Sequence, residues 1–488
     1  MSSELLLGID EGTTAVKAAL FDTELRPVAE ARREVPVTHP RPGWVEQDPE
    51  LILEAVVDAV AEVLARAEGR EVRAAGLAHQ GESVLAWDAP SGRPLTPVVV
   101  WQDKRQQELL AGVDATAVER SGLPLDPYFS AGKLAWLLAH DEQVARASER
   151  GTLRLGTVDS FLVDRLGGRF ATDLSTASRT QLLALGGSDW DEQLISLFGI
   201  RREWLAGVGP TYGSLGQLRH ERWPVAIELA AQLVDQQAAL AGSGAVATGE
   251  LKATYGTGVF VLGVTTEPRA PSGLLGTVAW AAPSASGGVG EVTHALDGGV
   301  FAAGSLLDWL AGGLGLAADA KALTRAAASV PDSAGVLVLP ALAGLGAPWW
   351  RAQARGVLAG LHPAVTPAHL ARAALEGIAW RVADIVEAAS ELAPVGALRV
   401  DGGLSNDETL LQIQADAVGL DLTVGAADST VLGAAMLAGV GAGAFSSLAQ
   451  AAGLLAPGRV VAPRLDAVER ERRYERWRTF VQGAAQLA

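Results

Sequence analysis

The chain of 488 residues contains no cysteine at all. Without a thiol it can form no disulfide, no thiolate nucleophile and no thiolate metal site. The same absence fits a reducing compartment.

Positive charge is also in short supply, with 39 Lys and Arg against 56 Asp and Glu, a net charge of −17 and a pI of about 4.9. Proteins that bind nucleic acid or anionic membrane surfaces present clustered positive charge to the phosphates. We therefore expect neither nucleic acid nor a membrane among the partners of this protein.

We expect neither a secretion signal nor a membrane-spanning segment. The apolar stretch in the first ten residues, MSSELLLGID, is too short for a secretion signal and has no basic flank. Residues 429–458 carry no charge over a length that could span a bilayer, but Gly439, Gly441 and Gly443 dilute the run, and Phe445-Ser446-Ser447 indicates a break followed by a helix cap. We expect two buried Ala/Gly-rich helices in a soluble domain, and a cytoplasmic protein.

What is present is a long chain, about half apolar, in which strand-like and helix-like runs alternate. Its length exceeds what one hydrophobic core normally serves, so two large α/β domains with a cleft between them are expected. The small-residue run 241–249 marks the boundary, which predicts domains 1–245 and 246–488. Apolar spacing predicts amphipathic helices over 51–63 and 375–389, and the mixed-charge segment 468–478 is predicted to be a helix that supplies a solvated face and nothing more.

A polar turn, Asp10–Thr14, separates the β-prone runs 5–9 and 16–21. We call it the first glycine turn. Gly12 lets the backbone approach a ligand closely, while the backbone N–H groups and two hydroxyls of the turn can converge on phosphate oxygens. Asp10 can meet the accompanying magnesium ion.

Two further turns repeat these abilities. The second glycine turn, Thr254–Gly258, precedes the apolar run 259–264, and the third, Asp401–Gly403, follows the strand-like run 398–400 and leads into a helix. Helix N-termini and glycine-rich turns both favour anions. Three such turns in one chain predict a site for a phosphate-bearing anion.

Many longer runs, in order along nearly the whole chain, resemble the FGGY family of carbohydrate kinases and, within it, the glycerol kinase branch. The runs are GIDEGTTAVKAALFD (8–22), GWVEQDP (43–49), WQDKR (101–105), SGLPLDPYFSAGKLAWLL (121–138), GTVDSFLVDRL (156–166), TDLSTASRT (172–180), VDQQAAL (234–240), TYGTG (254–258), GLGAPWW (344–350), ARGVLAGL (354–361), LEGIAW (375–380), LRVDGG (398–403) and LGAAMLAG (432–439).

The resemblance implies a two-domain actin-like ATPase (ribonuclease H-like) α/β fold, with Mg-ATP and a small polyol or sugar meeting in the interdomain cleft. Glycerol is the first substrate that it suggests. It implies that Asp10 and Asp235 bind the magnesium ion. The nucleotide-binding residues that it implies are Asp10, Gly12, Thr13, Thr14, Lys17, Gly256, Thr257, Gly258, Gly304, Gly402, Gly403 and Asp407.

Asp235 is the catalytic residue that the resemblance implies. A carboxylate beside a substrate hydroxyl can take its proton as the γ-phosphoryl group leaves ADP. Carboxylates and amides suit the hydroxyls of a polyol, and aromatic faces suit its C–H surfaces. The substrate-binding residues that it implies are Gln80, Gly81, Glu82, Trp101, Asp103, Tyr128, Asp235 and Gln236.

The sequence departs from the glycerol kinase pattern at several of these positions. Gly81 replaces an arginine, which removes a guanidinium and suggests free volume for a longer substrate, and His79 is a candidate replacement donor. Glu11 replaces glutamine, and Lys17 replaces arginine with another phosphate partner. In the adenine region, Asp308 replaces glutamine and Asp407 replaces asparagine.

Two alternatives therefore stay open at this point. One is a kinase of a larger polyol or ketopentose, such as erythritol, threitol, xylitol, ribulose or xylulose. The other is an actin-like ATPase or sensor without sugar kinase activity, because a fold alone does not decide function. A homodimer or homotetramer is a family-level expectation.

Overall fold

The computed structural model describes residues 4–271, 273–425 and 428–484. The described chain divides into two compact units. Unit 1 contains the chain up to Val246 together with Gly276–His294 and Asp428–Leu455, and unit 2 contains the described residues of 247–275, of 295–427 and from Ala456 onward. The units differ from the contiguous domains 1–245 and 246–488, because two later segments pack within unit 1.

Strands and helices are numbered in chain order. The strands are β1 (Glu4–Glu11), β2 (Ala15–Asp22), β3 (Pro27–Glu34), β4 (Glu46–Gln47), β5 (Glu71–His79), β6 (Val84–Asp88), β7 (Val98–Val99), β8 (Leu153–Thr157), β9 (Ala171–Asp173), β10 (Gly207–Gly209), β11 (Gln217–Leu218), β12 (Ile227–Val234), β13 (Glu250–Tyr255), β14 (Val259–Thr265), β15 (Leu275–Pro283), β16 (Val289–Val300), β17 (Leu337–Leu339), β18 (Val357–Ala359), β19 (Ala397–Asp401), β20 (Leu422–Val424) and β21 (Arg459–Val461). The α-helices are α1 (Pro49–Ala65), α2 (Gln107–Leu110), α3 (Thr116–Ser121), α4 (Ser130–His140), α5 (Glu142–Arg150), α6 (Val158–Gly167), α7 (Leu174–Ser178), α8 (Glu192–Leu197), α9 (Asp235–Gly242), α10 (Gly304–Asp308), α11 (Ala320–Ala328), α12 (Pro367–Ser390), α13 (Glu408–Val418), α14 (Ser429–Gly441), α15 (Leu448–Ala452) and α16 (Ala467–Ala484). Short 3₁₀ helices span Arg202–Trp204 and Gly403–Asn406, and a π-helical turn spans Trp309–Gly313.

The main sheet of unit 1 has the strand order β11-β12-β5-β1-β2-β3. β1 and β2 form the predicted antiparallel hairpin around the first glycine turn, whereas β1, β5 and β12 run parallel to one another. In this register Glu11, His79 and Val234 lie side by side at the carboxyl ends of three adjacent strands. Open α/β sheets place ligands at such ends.

Helix α14 lies against this sheet and against α9 at very short range. A Cβ on Gly76 of β5 would lie 2.0 Å from the Ala434 carbonyl oxygen, and one on Gly242 of α9 would lie 1.8 Å from the Ser429 carbonyl oxygen. Only glycine permits this approach of two backbones. The Ala/Gly-rich composition of 429–458 therefore reflects close packing, and the two predicted helices are confirmed as α14 and α15. Within the described residues, no helix has the length and apolarity that crossing a membrane requires.

A second sheet of unit 1, in the order β4-β7-β6-β8, positions the segments that follow the main sheet. Glu82 precedes this sheet's strand β6 by two positions, and Trp101 follows β7 after one residue. Glu82 follows the end of β5 and Trp101 follows β7, and the Trp101 N–H donates to the Ser83 hydroxyl at 3.1 Å, which ties the two segments together.

The sheet of unit 2 contains the neighbouring strands β14-β13-β19-β20-β21. β13 and β14 form an antiparallel hairpin around the second glycine turn, and β13 runs parallel to β19, with Thr254 opposite Asp401. Helix α12 contributes a nearly continuous buried face to the core of this unit.

The C-terminal helix α16 also belongs to this core. Tyr474, Trp477 and Val481 recur at helical spacing and are buried. The indole Nε1 of Trp477 donates to the carboxylate of Asp384 on α12, with both oxygens at 3.2 Å. The prediction that 468–478 has only a solvated role is therefore wrong for one face of the helix. The many charged residues of the segment obscured the helical spacing of its few apolar ones.

Candidate active site

Three acidic side chains meet at the carboxyl edge of the main sheet in unit 1: Asp10 and Glu11 at the end of β1, and Asp235 directly after β12. Burial raises the pKa of Glu11 well above its usual value, and the charges of Asp10 and Asp235 add to this rise. Desolvation raises the pKa of Asp10 to about 7, although the nearby Lys17 ammonium opposes the rise. The edge thus concentrates acidic groups that a bound cation would stabilise as carboxylates.

Asp235 is the first residue of α9 and is half-buried. Its Oδ1 accepts a hydrogen bond from the Gln236 backbone N–H at 2.6 Å, and the Gln236 side chain is also half-buried. The next residue, Gln237, is buried and donates from Nε2 to the Val278 carbonyl at 3.2 Å. Asp235 and Gln236 therefore lie half-buried at the edge of the sheet, and Gln237 is fixed in the core.

Magnesium is the cation that these residues can accommodate. Across the described residues, no group of three or more His, Asp or Glu side chains is arranged to hold a metal ion by itself. Mg²⁺ is usually bound by one or two carboxylates together with substrate phosphates and water. Asp10 and Asp235 match that donor set in number and type.

The first glycine turn is held from several directions. The Thr13 hydroxyl contacts Gln80 Oε1 at 3.3 Å and accepts a hydrogen bond from the Trp101 indole at 3.0 Å. Gln47 Nε2 donates to the Thr13 carbonyl at 2.8 Å, and Gly12 N–H donates to the Ala15 carbonyl at 3.1 Å. Thr14 is exposed at the tip of the turn.

Lys17, opposite Asp10 in the hairpin, forms ion pairs with two carboxylates. Its ammonium lies 2.7 Å from an Asp428 oxygen and 3.2 Å from a Glu30 oxygen. Burial lowers the pKa of Lys17, but the contacts with these two carboxylates outweigh that effect and raise it overall. A phosphate would have to compete with both carboxylates for this cation.

Gln80 has a role different from the expected substrate binding. The Gln80 amide donates to Glu11 Oε1 and Gln47 Oε1, both at 2.8 Å, and its oxygen accepts from Ser83 Oγ at 3.0 Å as well as from Thr13. With two donors and two acceptors engaged, Gln80 fixes the first glycine turn and has no hydrogen-bonding capacity left for a substrate.

Asp103 is likewise committed within the protein. Its two oxygens accept from the Val45 N–H at 2.6 Å and from three N–H groups of Arg105 at 2.8–2.9 Å. Asp103 was predicted to bind substrate, but in the structure it fixes Val45 and Arg105. His79 is fully buried, and its ring nitrogens contact the Gln80 carbonyl at 3.0 Å and the Thr176 hydroxyl at 2.9 Å, so it does not replace the missing donor.

Gly81 offers no free volume. A Cβ at this position would lie 2.8 Å from Cγ1 of Val234, the last residue of β12. The hypothesis that this glycine enlarges the site for a longer substrate is wrong, because a side chain 153 positions later in the sequence fills the space.

Two of the predicted substrate-binding residues, Trp101 and Tyr128, are in direct contact. The rings of Trp101 and Tyr128 meet edge to face with centroids 5.5 Å apart, and Tyr128 packs in the same way on Phe129 at 5.3 Å. We call Trp101, Tyr128 and Phe129 the aromatic wall. Glu82 is 3% exposed and has a left-handed backbone with φ of 61°.

Two basic residues beside this wall, Arg179 and Lys133, were not among the predicted site residues. Arg179 donates from Nε to Glu82 Oε1 at 2.6 Å. Lys133 is fully buried and donates from Nζ to the carbonyls of Pro127, Tyr128 and Phe129 at 2.5–3.1 Å. Both residues lie inside runs that resemble the family, 172–180 and 121–138, but spacing alone gave no sign of their contacts.

In unit 2 the glycines of the predicted nucleotide site pack directly on one another. Gly304 N–H donates to the Gly256 carbonyl at 3.0 Å, and a Cβ on Gly304 would lie 2.7 Å from that oxygen. Gly402 has φ of 90°, and a Cβ there would lie 2.4 Å from the Tyr255 carbonyl oxygen. Gly403 faces open space, and Thr257 is exposed. The second and third glycine turns therefore expose backbone at Gly256, Thr257 and Gly403, close to positions where only glycine fits.

The predicted adenine residues lie at helix ends in the same unit. Asp407 caps α13 by accepting from the Leu410 N–H at 2.8 Å, and Asp308 is the exposed last residue of α10. Lys252 Nζ lies 3.1 Å from Asp401 Oδ2, which pairs the third glycine turn with a buried cation.

Two α/β units, each with a glycine turn between antiparallel strands, define an actin-like ATPase fold. The chain belongs to the FGGY family of carbohydrate kinases, because the model of the family's N-terminal domain matches residues 5–242 and that of its C-terminal domain matches residues 251–442. The predicted fold class, family and enzyme class are confirmed.

Relatives named as kinases agree with this assignment. The chain is 42% identical over 491 residues to a glycerol kinase of Citrifermentans bemidjiense, with 98% of each chain covered. It is 36% identical over 500 residues to a glycerol kinase of Saccharolobus islandicus, covering 99% of this chain and 97% of that one. The solved structure of Plasmodium falciparum glycerol kinase with ADP is similar, with a TM-score of 0.91, 28% identity and coverage of 99% and 98%.

Proposed function

We propose that this protein transfers the γ-phosphoryl group of ATP to a hydroxyl of glycerol, giving glycerol 3-phosphate and ADP. The relatives named glycerol kinase, matched over nearly the whole chain, support this substrate. The observation that carries the proposal is the carboxyl edge of unit 1. There Asp235 stands beside Glu11, the end residue of β1, and the first glycine turn is hydrogen-bonded to the aromatic wall.

Each group at this edge has a chemical task in such a transfer. Asp235 accepts the proton of the attacking hydroxyl, which is a poor nucleophile while protonated. Glu82 accepts hydrogen bonds from other hydroxyls, and the aromatic wall covers the C–H surface of the substrate. The first glycine turn presents N–H groups and the exposed Thr14 hydroxyl to phosphate oxygens.

Magnesium and the nucleotide complete the proposal. Asp10 and Asp235 would hold Mg²⁺, which supplies charge neutralisation at the phosphate oxygens when bound. The exposed Gly256-Thr257 pair, Gly304 and the open side of Gly403 are the proposed contacts of unit 2 with ATP, with Asp407 near the base.

The experiment is a substrate panel with γ-labelled ATP. Glycerol, erythritol, threitol, xylitol, ribulose and xylulose are offered separately, and the labelled product is counted against ATP hydrolysis. We expect the highest kcat/KM for glycerol. A preference for a five-carbon substrate would contradict the choice of glycerol, and ATP hydrolysis without label on any acceptor would support an ATPase or sensor instead.

The expected homodimer or homotetramer and the cytoplasmic location stay predictions. Neither is needed for the chemistry proposed here.

A further inference from the structure

Glu82 forms a buried ion pair with Arg179, which lies 97 positions later in the sequence. Glu82 is 3% exposed and Arg179 is 5% exposed. A guanidinium and a carboxylate buried together at 2.6 Å form a strong, directional, charge-assisted hydrogen bond.

The segment that carries Arg179 is itself fixed by buried polar contacts. Asp173 caps the preceding helix α7 by accepting from the N–H groups of Ser175 and Thr176, both at 2.9 Å. The Thr176 hydroxyl contacts His79 at the end of β5, three residues before Glu82. The backbone of Arg179 is therefore tied to the same strand end from which Glu82 emerges.

The guanidinium also contacts the aromatic wall. Its Cζ lies 5.7 Å from the ring centroid of Tyr128 and 5.5 Å from that of Phe129. Cations at such distances are attracted to the faces of aromatic rings. Arg179 thus touches both kinds of group, carboxylate and aromatic, to which the substrate is proposed to bind.

Stability alone gives a weak reason for this arrangement. Burying an ion pair costs desolvation that its attraction only partly offsets, and apolar replacements are often as stable. A buried pair at a proposed binding residue therefore points to orientation of that residue.

We propose that Arg179 is a positioning and specificity residue: it holds the Glu82 carboxylate in the orientation that accepts a polyol hydroxyl. In this way the protein has a guanidinium at the substrate side although position 81 is glycine. The inference rests on the proposed polyol kinase function. It also predicts selection of neutral polyols, since the cation is already neutralised by Glu82 and offers no unpaired charge to a sugar acid.

The test compares Arg179→Gln and Arg179→Lys with a matched control, Arg154→Gln. Arg154 also pairs with a carboxylate, Asp164, and also lies over an aromatic ring, with Cζ 4.7 Å from the centroid of Phe170, but it is on β8 outside the site. Glycerol affinity is measured by calorimetry, and KM for glycerol, KM for ATP, kcat and the thermal midpoint are measured for each variant.

We expect Arg179→Gln to weaken glycerol binding and raise its KM about 10- to 150-fold, the range for a hydrogen bond to a charged group, with KM for ATP nearly unchanged. Arg179→Lys should recover part of the loss because it keeps the charge. In Glu82→Gln combined with Arg179→Gln, the effects should be much less than multiplicative, because both remove one interaction. Arg154→Gln should lower the thermal midpoint without changing KM for glycerol.

Equal KM values for glycerol in Arg179→Gln and wild type would overturn the inference, as would multiplicative effects in the double variant. If wild type prefers another polyol, that polyol replaces glycerol in every arm, and the inference stands or falls independently of the choice of glycerol. If wild type binds no polyol at all, the proposed function and this inference both fail.

Discussion

The indole Nε1 of Trp101 donates to the hydroxyl of Thr13 at 3.0 Å, while the ring of Trp101 meets that of Tyr128 edge to face. One side chain therefore contacts both the first glycine turn and the aromatic wall. Because the turn is the proposed phosphate site and the wall the proposed polyol site, Trp101 links the two reactants through the protein.

Replacing Trp101 by Phe separates these two roles, because Phe keeps an aromatic face and removes the N–H donor. A neutral hydrogen bond contributes about 0.5–1.5 kcal/mol, so we expect kcat to fall roughly 2- to 10-fold while KM for glycerol changes little. Steady-state kinetics with both substrates checks this. Trp136→Phe is the control, since Trp136 stacks on His140 away from the turn. A rise in KM for glycerol with kcat unchanged would show that the N–H group acts on the polyol alone.

Gly81→Ala tests the packing of β12 against the segment before Glu82. The new Cβ would lie 2.8 Å from Val234 Cγ1, and overpacking of this kind costs about 1–3 kcal/mol. We expect a lower free energy of unfolding in urea, and partial recovery when Val234→Ala is combined with it. Gly396→Ala is the matched control, because nothing lies within 4 Å of a Cβ there. Wild-type stability in Gly81→Ala would mean that the site does hold spare volume.

The elements of the fold could be predicted where the signal is local. Two short β-prone runs around a polar turn predicted the β1–β2 hairpin, and helical apolar spacing predicted the helices α1 and α12, since each of these signals lies within one short segment. The first glycine turn was recognisable for the same reason: its chemistry is contained in five consecutive residues.

The rest depends on contacts between distant segments. The space beside Gly81 is filled by Val234, and the cation beside Glu82 comes from Arg179 after α7. Gln80 was predicted to bind substrate, yet four partners, Glu11, Thr13, Gln47 and Ser83, use its whole amide. Spacing along the chain cannot predict which side chains the tertiary structure brings together.

Lys133 provides a pH test of the loop that carries Tyr128. Burial lowers the pKa of its ammonium to about 7, although the charges of Glu82, Asp103 and Asp126 oppose this. Between that value and the ordinary 10.5, the unfolded chain binds a proton that the folded protein has released, so folding becomes more favourable as pH rises.

We therefore expect the stability of wild type relative to Lys133→Met to increase by about 1 kcal/mol per pH unit between roughly pH 7 and 9. Urea unfolding of both proteins at several pH values measures this difference, and subtracting the variant removes the titration of other groups. A difference that stays constant with pH would show that Lys133 remains charged, held by its three carbonyl partners.

The account depends most on Asp235 as the group that receives the hydroxyl proton. The direct measurement is kcat for glycerol in Asp235→Asn, with ATP affinity measured by calorimetry and Asp58→Asn, a partly exposed carboxylate on α1, as control. Loss of a general base predicts a fall in kcat of about 10²- to 10⁴-fold with ATP binding nearly normal. Wild-type turnover in Asp235→Asn would contradict the account.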